Sequence, residues 1–487
     1  MNADAILKKI FAAVEVLVEA GNRYRGLFPS LIDLKTHEML QELPPVIPGQ
    51  RNGDRAHPGS NLIHDQVVLK TMCALSECFH KDKYAQAADR YLYRFATHCT
   101  DTKTGLFPWG EHSFWHLIED RVGNSHLLHD PDTKSSATHD HLRQAPLWMW
   151  EKIYQFNPRC VERFAEGLAF HWKEGEPLEY TRHAPIEAKM RHQHGERSCD
   201  FPRHSGFYIF DLSFAYLKTE REDFLEQIHR FLDYWWEKRE SNGLLKIESR
   251  SPQNDTRFFG VLAPGQTISL AASLLESAQM LHERQPALAA EMCKRATLYI
   301  DGFFAAPHDI ERGVFILACK HGDDADFRKA CSESRNIPPQ EAGNMPIWGS
   351  QYGVWPASYI ALTCLCAYQL REDSRLLQWA LAVGSCYLKE PFPQDKAVPA
   401  MDAGLGLGLL AALYDITSEK KWIRGGLELA DKLINIYLDQ DLPRGAAGID
   451  WYESQMGPGF LLHSLAKIAL LEKDKENCPL KADYTAR

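Results

Sequence analysis

The chain has 487 residues, of which 45% are hydrophobic and 25% charged, and its formal net charge is −10. That length exceeds one ordinary compact core, which leaves either several domains or a repeat architecture that grows by adding units. The acidic balance offers no basic face for nucleic acid, and no run of about 18 uninterrupted apolar residues predicts a membrane span.

In chain order, residues 3–20 place Ile6, Ile10, Val14, Leu17 and Val18 at helical spacing, with Lys8 and Lys9 breaking the apolar run. This reads as a mature amphipathic helix rather than a signal peptide. The 12 cysteines form no CxxC pair, and Cys73, Cys364 and Cys366 fall inside helical patterns. Free core thiols of this kind predict a cytoplasmic location.

One local pattern then recurs. An apolar helix ends in a short polar turn, and a second helix begins with charged residues followed by an aromatic or Leu. The copies begin at His80, Asn157, Glu220, Glu372 and Ser418, with a weaker one at Arg284. Each sits on a helical hairpin, placed at about 62–98, 141–173, 205–238, 265–303, 355–388 and 402–438. The helices 3–20 and 457–472 are left over, and pairing them closes a ring. The expectation is an all-α chain, one (α/α) toroid of six to seven hairpins spanning 1–487. Strand signals are confined to short pieces near Gly243 and Gly313. The long connections, 99–140, 174–204, 239–264, 304–354 and 439–456, should gather at one mouth and carry function.

Histidine is unevenly placed: 11 of the 21 lie between His112 and His204. Three clusters stand out. The first, Gly105–Leu117, holds Glu111, His112 and His116 among aromatics. The second puts His139, Asp140 and His141 at an expected helix start, where Asp140 also suits an N-cap. The third runs from Tyr180 to His204 and holds Arg182, Lys189, Arg191, Arg197 and Arg203 with His183, His192, His194 and His204. It is either a solvated basic loop or the positive patch that an acidic substrate needs. The rings of Trp109, Trp115, Trp348, Tyr352, Trp355, Trp451 and Tyr452 lie in or beside the mouth loops, where they either stack on sugars or pack the core. The motifs for HExxH, P-loop, GxSxG and Rossmann chemistry are all missing.

The run LFPWGEH ending at His112, the pattern x-x-Leu-basic-x-x-Pro over 140–146, and Arg182-His183 following His171-Trp172 resemble the family 2 polysaccharide lyases. Those are pectate and exopolygalacturonate lyases built on an (α/α)7 toroid. The resemblance implies β-elimination on a uronic-acid polymer. It also implies a divalent metal, manganese by preference, held by His112, the residue at 141 and His183, with Arg182 as base. Position 141 carries Glu in that family and His here, and a three-His set suits zinc, nickel or cobalt. An Arg base is chemically awkward. Tyr180 or a loop His is the alternative base, with Arg182 then clamping the substrate carboxylate. Trp109, Arg191, Arg203, His204, Trp348, Tyr352, Trp451 and Tyr452 complete the expected substrate surface. Other readings of the same toroid are an N-acylglucosamine 2-epimerase-type enzyme using paired His, a hydrolase of unsaturated uronides using Asp140, Asp402 or Glu453, and a non-catalytic oligosaccharide binder.

Overall fold

The computed structural model describes residues 2–129, 136–141, 144–196, 199–249, 260–322, 324–335, 337–349 and 355–480. Its helices follow the hairpin pattern: α1 (Ala3–Arg23), α2 (Leu62–Phe79), α3 (Lys83–Arg94), the short α4 (Ser125–His129), α5 (Leu147–Phe156), α6 (Pro158–Gly167), α7 (Pro202–Thr219), α8 (Glu222–Trp236), α9 (Pro264–Leu281) and α10 (Pro286–Ala305). Beyond them come α11 (Ala325–Arg335), α12 (Ala357–Arg371), α13 (Ser374–Lys389), α14 (Ala400–Thr417), α15 (Lys420–Tyr437) and α16 (Pro458–Lys473).

The recurring turn has a physical cause. His80, Glu220, Glu372 and Ser418, which open four of the repeated segments, all adopt φ of 52–60°. Each is the left-handed cap of an inner helix, and its N–H donates to the carbonyl four residues back. This reverses the chain into the outer helix. The two helices of a hairpin differ as their positions demand. In α7 every residue from Pro202 to Tyr216 is buried. In α8 the buried set is Phe224, Leu225, Ile228, Phe231, Leu232, Tyr234 and Trp235, one stripe of an amphipathic helix.

The inner helices close a ring. α7 packs on α9, α9 on α12, α12 on α14, and α14 on α16, which also contacts α2 and α1. α5 bridges the remaining arc, with Trp150 stacked at 6.1 Å on Phe214 of α7 and Trp148 under the Lys70 ammonium of α2. The expected pairing of the first and last helices is present, and one apolar cluster runs from Ala3 to Leu480. Among the described residues, only α14 is long and apolar enough to span a membrane, and 72% of that stretch is buried inside the protein.

Short antiparallel strand pairs tie the mouth loops together. β1 (Leu31–Asp33) is joined by β9 (Trp451–Glu453) near the other end of the chain. β2 (Gly59–Ser60), β3 (Ser113–His116) and β4 (Arg121–Asn124) form one sheet. β5 (Thr138–His139) pairs with β6 (Ala184–Pro185), with His139 opposite Ala184. β7 (Cys199–Asp200) pairs with β8 (Glu248–Ser249), so the Gly243 piece supplies a strand, whereas the Gly313 piece makes isolated bridges alone. Residues 138–139 are therefore strand, not the start of a helix. α5 begins at Leu147 after Pro146, so Asp140 does not cap it.

Candidate metal centre

The pairing of β5 with β6 brings the end of one long loop against the middle of another. It sets Asp140, one residue past His139, beside His183, one residue before Ala184. The third partner, His112, stands at the entry to β3. Its Nε2 lies 3.0 Å from Asp140 Oδ2, and His183 Nε2 lies 3.6 Å from the same oxygen. One ligand atom from each of the three lies within 4.8 Å of the other two. Asp140 is 1% exposed, and neither of its oxygens meets an aligned hydrogen-bond donor among the described residues. A buried carboxylate left in that state, flanked by two imidazoles, suits a divalent cation of the borderline class.

Electrostatics divide the two histidines. Burial opposes charge on both rings. At His112 the carboxylates of Asp140, Asp54 and Glu111 outweigh burial and lift the ring to about 9. At His183 the Arg182 guanidinium adds to burial, and the ring is pushed down to about 3. His183 is thus neutral, with an Nε2 lone pair that accepts from Arg182 Nε at 3.1 Å. Burial raises Asp140, but Arg182, His112 and His183 prevail and hold its carboxyl well below the usual range.

His141, expected as the third ligand, turns away. Its Nε2 bonds Asp211 Oδ2 at 3.0 Å, and its ring packs on Trp109 at 4.6 Å. Adjacent residues of an extended segment point to opposite sides, so Asp140 and His141 cannot both face the centre. Tyr180 is also structural: it is fully buried, its Oη donates to the Phe201 carbonyl at 2.6 Å, and it accepts from Trp235. That removes it as a base. Trp109 is sealed at 2% exposure and donates to the Asp140 carbonyl at 3.2 Å, so it holds the loop rather than a sugar.

Of the remaining expected residues, Arg182 is half-buried with its guanidinium 4.9 Å above the Phe201 ring. His204 stacks its edge on that same ring at 5.8 Å and is fully buried. Arg203 lies 3.6 Å over Trp355, while Arg191 stands half-buried in the 174–196 loop. Trp348 packs against Tyr387 and Phe392, Tyr452 is buried in β9, and Trp451 donates to Glu453. Core packing therefore accounts for Trp348 and Tyr452. Tyr352 lies outside the described residues. Glu453 is saturated: Arg55 contacts both its oxygens at 2.7 and 3.0 Å, and Gln50 and Trp451 add further donors.

Two participants gave little sign in the sequence. Asp54 comes from a loop without periodicity, and Asp211 lies inside a helix that is buried all round. An Asp in a fully apolar helical face is the signal that could have drawn attention to Asp211.

Residues 40–214 match the family described as periplasmic pectate lyase, a span that contains His112, Asp140, Arg182 and His183. Over that segment the chain is similar to the pectate lyases, in line with the expected family 2 polysaccharide lyase resemblance. No curated protein matches the chain. Among solved structures it is similar to an unsaturated glucuronyl hydrolase specific for heparin, at 11% identity over 96% of this chain and 98% of that one, with a TM-score of 0.47. It is also similar to cellobiose 2-epimerase from Bacillus thermoamylovorans B4167, at 11% identity over 97% and 99%, with a TM-score of 0.47. The periplasmic description overturns the expected cytoplasmic location. Of the thiols named for that expectation, Cys364 is buried and Cys73 and Cys366 are half-buried, all three within helices. They report the core and not the compartment.

Proposed function

We infer that this family 2 polysaccharide lyase-like chain cleaves an acidic, uronic-acid-containing poly- or oligosaccharide, of the pectate or oligogalacturonate kind, by metal-assisted β-elimination. The observation that carries the reading is the convergence of His112, Asp140 and His183 beside the Arg182 guanidinium, inside the segment that matches the pectate lyase family.

Elimination passes the proton α to the uronate carboxylate to a base, a loop His once Tyr180 is set aside, and breaks the bond to the 4-linked oxygen, which takes up a proton and departs as a hydroxyl, leaving a double bond in the sugar. The difficulty is that the α-carbon acquires charge beside a group already negative. A divalent cation held by His112, Asp140 and His183 would supply Lewis acidity toward that carboxylate. Asp140 remains ionised and His183 neutral, as ligands must be, and a cation taking the His183 Nε2 lone pair would displace the Arg182 Nε–H that bonds it here. Arg182 has a planar fork suited to a carboxylate. An anion beside a guanidinium favours its charged form, and Asp140 is such an anion, so Arg182 serves as the carboxylate clamp in preference to the base.

The hydrolase alternative draws less support. Glu453 is locked by Arg55, and Asp140 is held as the anion, so neither is poised to donate a proton to a glycosidic oxygen. The test is incubation with polygalacturonate and related polyuronates, followed by product analysis. Products bearing an ultraviolet-absorbing double bond are expected. Saturated reducing ends or an epimerised sugar would overturn the reading.

A further inference from the structure

The segment before the first inner helix holds His112 from behind. Asn52–Asp54 form a single turn of 3-10 helix, against which α4 packs. The Gly53 carbonyl accepts from Ser125 Oγ at 2.6 Å and lies 3.1 Å from His112 Nδ1. Asp54 Oδ1 lies 3.2 Å from the same nitrogen, as a charge out of line for a hydrogen bond, and its other oxygen takes Arg51 Nε at 2.9 Å. Asp54 is 1% exposed. The His126 ring stacks on His112 at 4.8 Å, and a Cβ at position 53 would come within 2.5 Å of His126 Nδ1, which explains the glycine there. The imidazole is thus fixed on its Nδ1 edge and on one face, with only Nε2 turned to Asp140.

We propose that Asp54 is a positioning residue for the metal centre: its charge, beside the Gly53 carbonyl that takes the Nδ1 proton of His112, keeps a proton on Nδ1 and leaves Nε2 as the atom that a divalent cation binds, displacing the Nε2 proton. The inference rests on the metal-centre reading above. A carboxylate behind a ligating imidazole fixes its tautomer and orientation and strengthens it as a donor. The charge matters as well as the shape, because the Gly53 carbonyl alone already satisfies the Nδ1 proton.

Calorimetric titration of Zn2+ into the wild type, Asp54→Asn and His112→Gln tests this. Asp54→Asn keeps the volume and removes the charge. It should weaken Zn2+ binding roughly 10- to 100-fold while leaving the unfolding midpoint of the metal-free protein in place. Binding within about threefold of wild type would overturn the proposal. A second readout separates this from failure of the centre itself, which would show as no Zn2+ binding by the wild type. In the metal-free protein, the hydrogen-bonded Nδ1 proton of His112, assigned by its loss in His112→Gln, should be seen by NMR and be lost or shifted in Asp54→Ala. An unchanged Nδ1 signal in Asp54→Ala would refute the positioning role whether or not metal binds.

Discussion

His141 Nε2 lies 3.0 Å from Asp211 Oδ2, deep in the ring, while the residue before it turns its carboxylate to His112 and His183. Neighbours in sequence thus carry different tasks. Asp140→Asn should abolish tight divalent-metal binding. His141→Asn should bind metal within a few-fold of wild type yet lose stability, by about 2 kcal/mol or more, because among the described residues Asp211 then keeps its Trp150 bond alone. Metal titration paired with urea unfolding distinguishes the two, and loss of metal in His141→Asn would restore His141 as a ligand.

Arg182 is proposed as the clamp on the substrate carboxylate. Arg182→Lys keeps a positive charge without the fork, so substrate affinity should fall modestly and kcat by about 100-fold or more. Arg182→Ala should lose both while still binding metal. Near-normal elimination by Arg182→Ala would exclude Arg182 as clamp and as base.

The Arg55–Glu453 pair has both side chains at 0% exposure and joins the loop before α2 to β9. Breaking one side leaves a charge buried without its partner, so Arg55→Ala should cost roughly 3–5 kcal/mol. Denaturant midpoints measure it. Glu453→Gln should likewise lose stability, whereas a variant of full stability with no turnover would revive Glu453 as a catalytic acid.

Asp65 gives a pH signature. Burial pushes its carboxyl up to about 7, against the hydrogen bonds from Ser454 and Tyr91. Between the unfolded value of 3.8 and about 7, the native state keeps a proton that the unfolded state has lost. Stability therefore falls as pH rises through that window, by up to about 4 kcal/mol, and levels off above it. Asp65→Asn should flatten this slope, which unfolding at a series of pH values would reveal. An identical slope in the variant would remove Asp65 as its source.

The toroid was legible because its signal repeats. Apolar runs broken by polar turns recur at His80, Glu220, Glu372 and Ser418, and each marks a left-handed cap. The terminal helices were legible as an unpaired remainder. The centre was legible in part. His112, Arg182 and His183 stood in recognisable runs, but the choice between Asp140 and His141 depends on which side of the chain just past a two-residue strand looks inward. Nothing in so short an element shows a period of two. The aromatics misled for a related reason: Trp109 and Tyr452 lie in loop sequence, yet those loops are themselves buried under the ring's mouth.

The central claim is best tested by metal-dependent elimination in the wild type and Asp140→Asn, followed by the ultraviolet absorbance of the unsaturated product from polygalacturonate or the best polyuronate found. After chelation the wild type should be inactive and should recover as Mn2+ is added back, while Asp140→Asn should stay inactive at the same Mn2+ concentrations. Elimination that survives chelation, or full recovery of Asp140→Asn, would contradict a catalytic cation held by His112, Asp140 and His183.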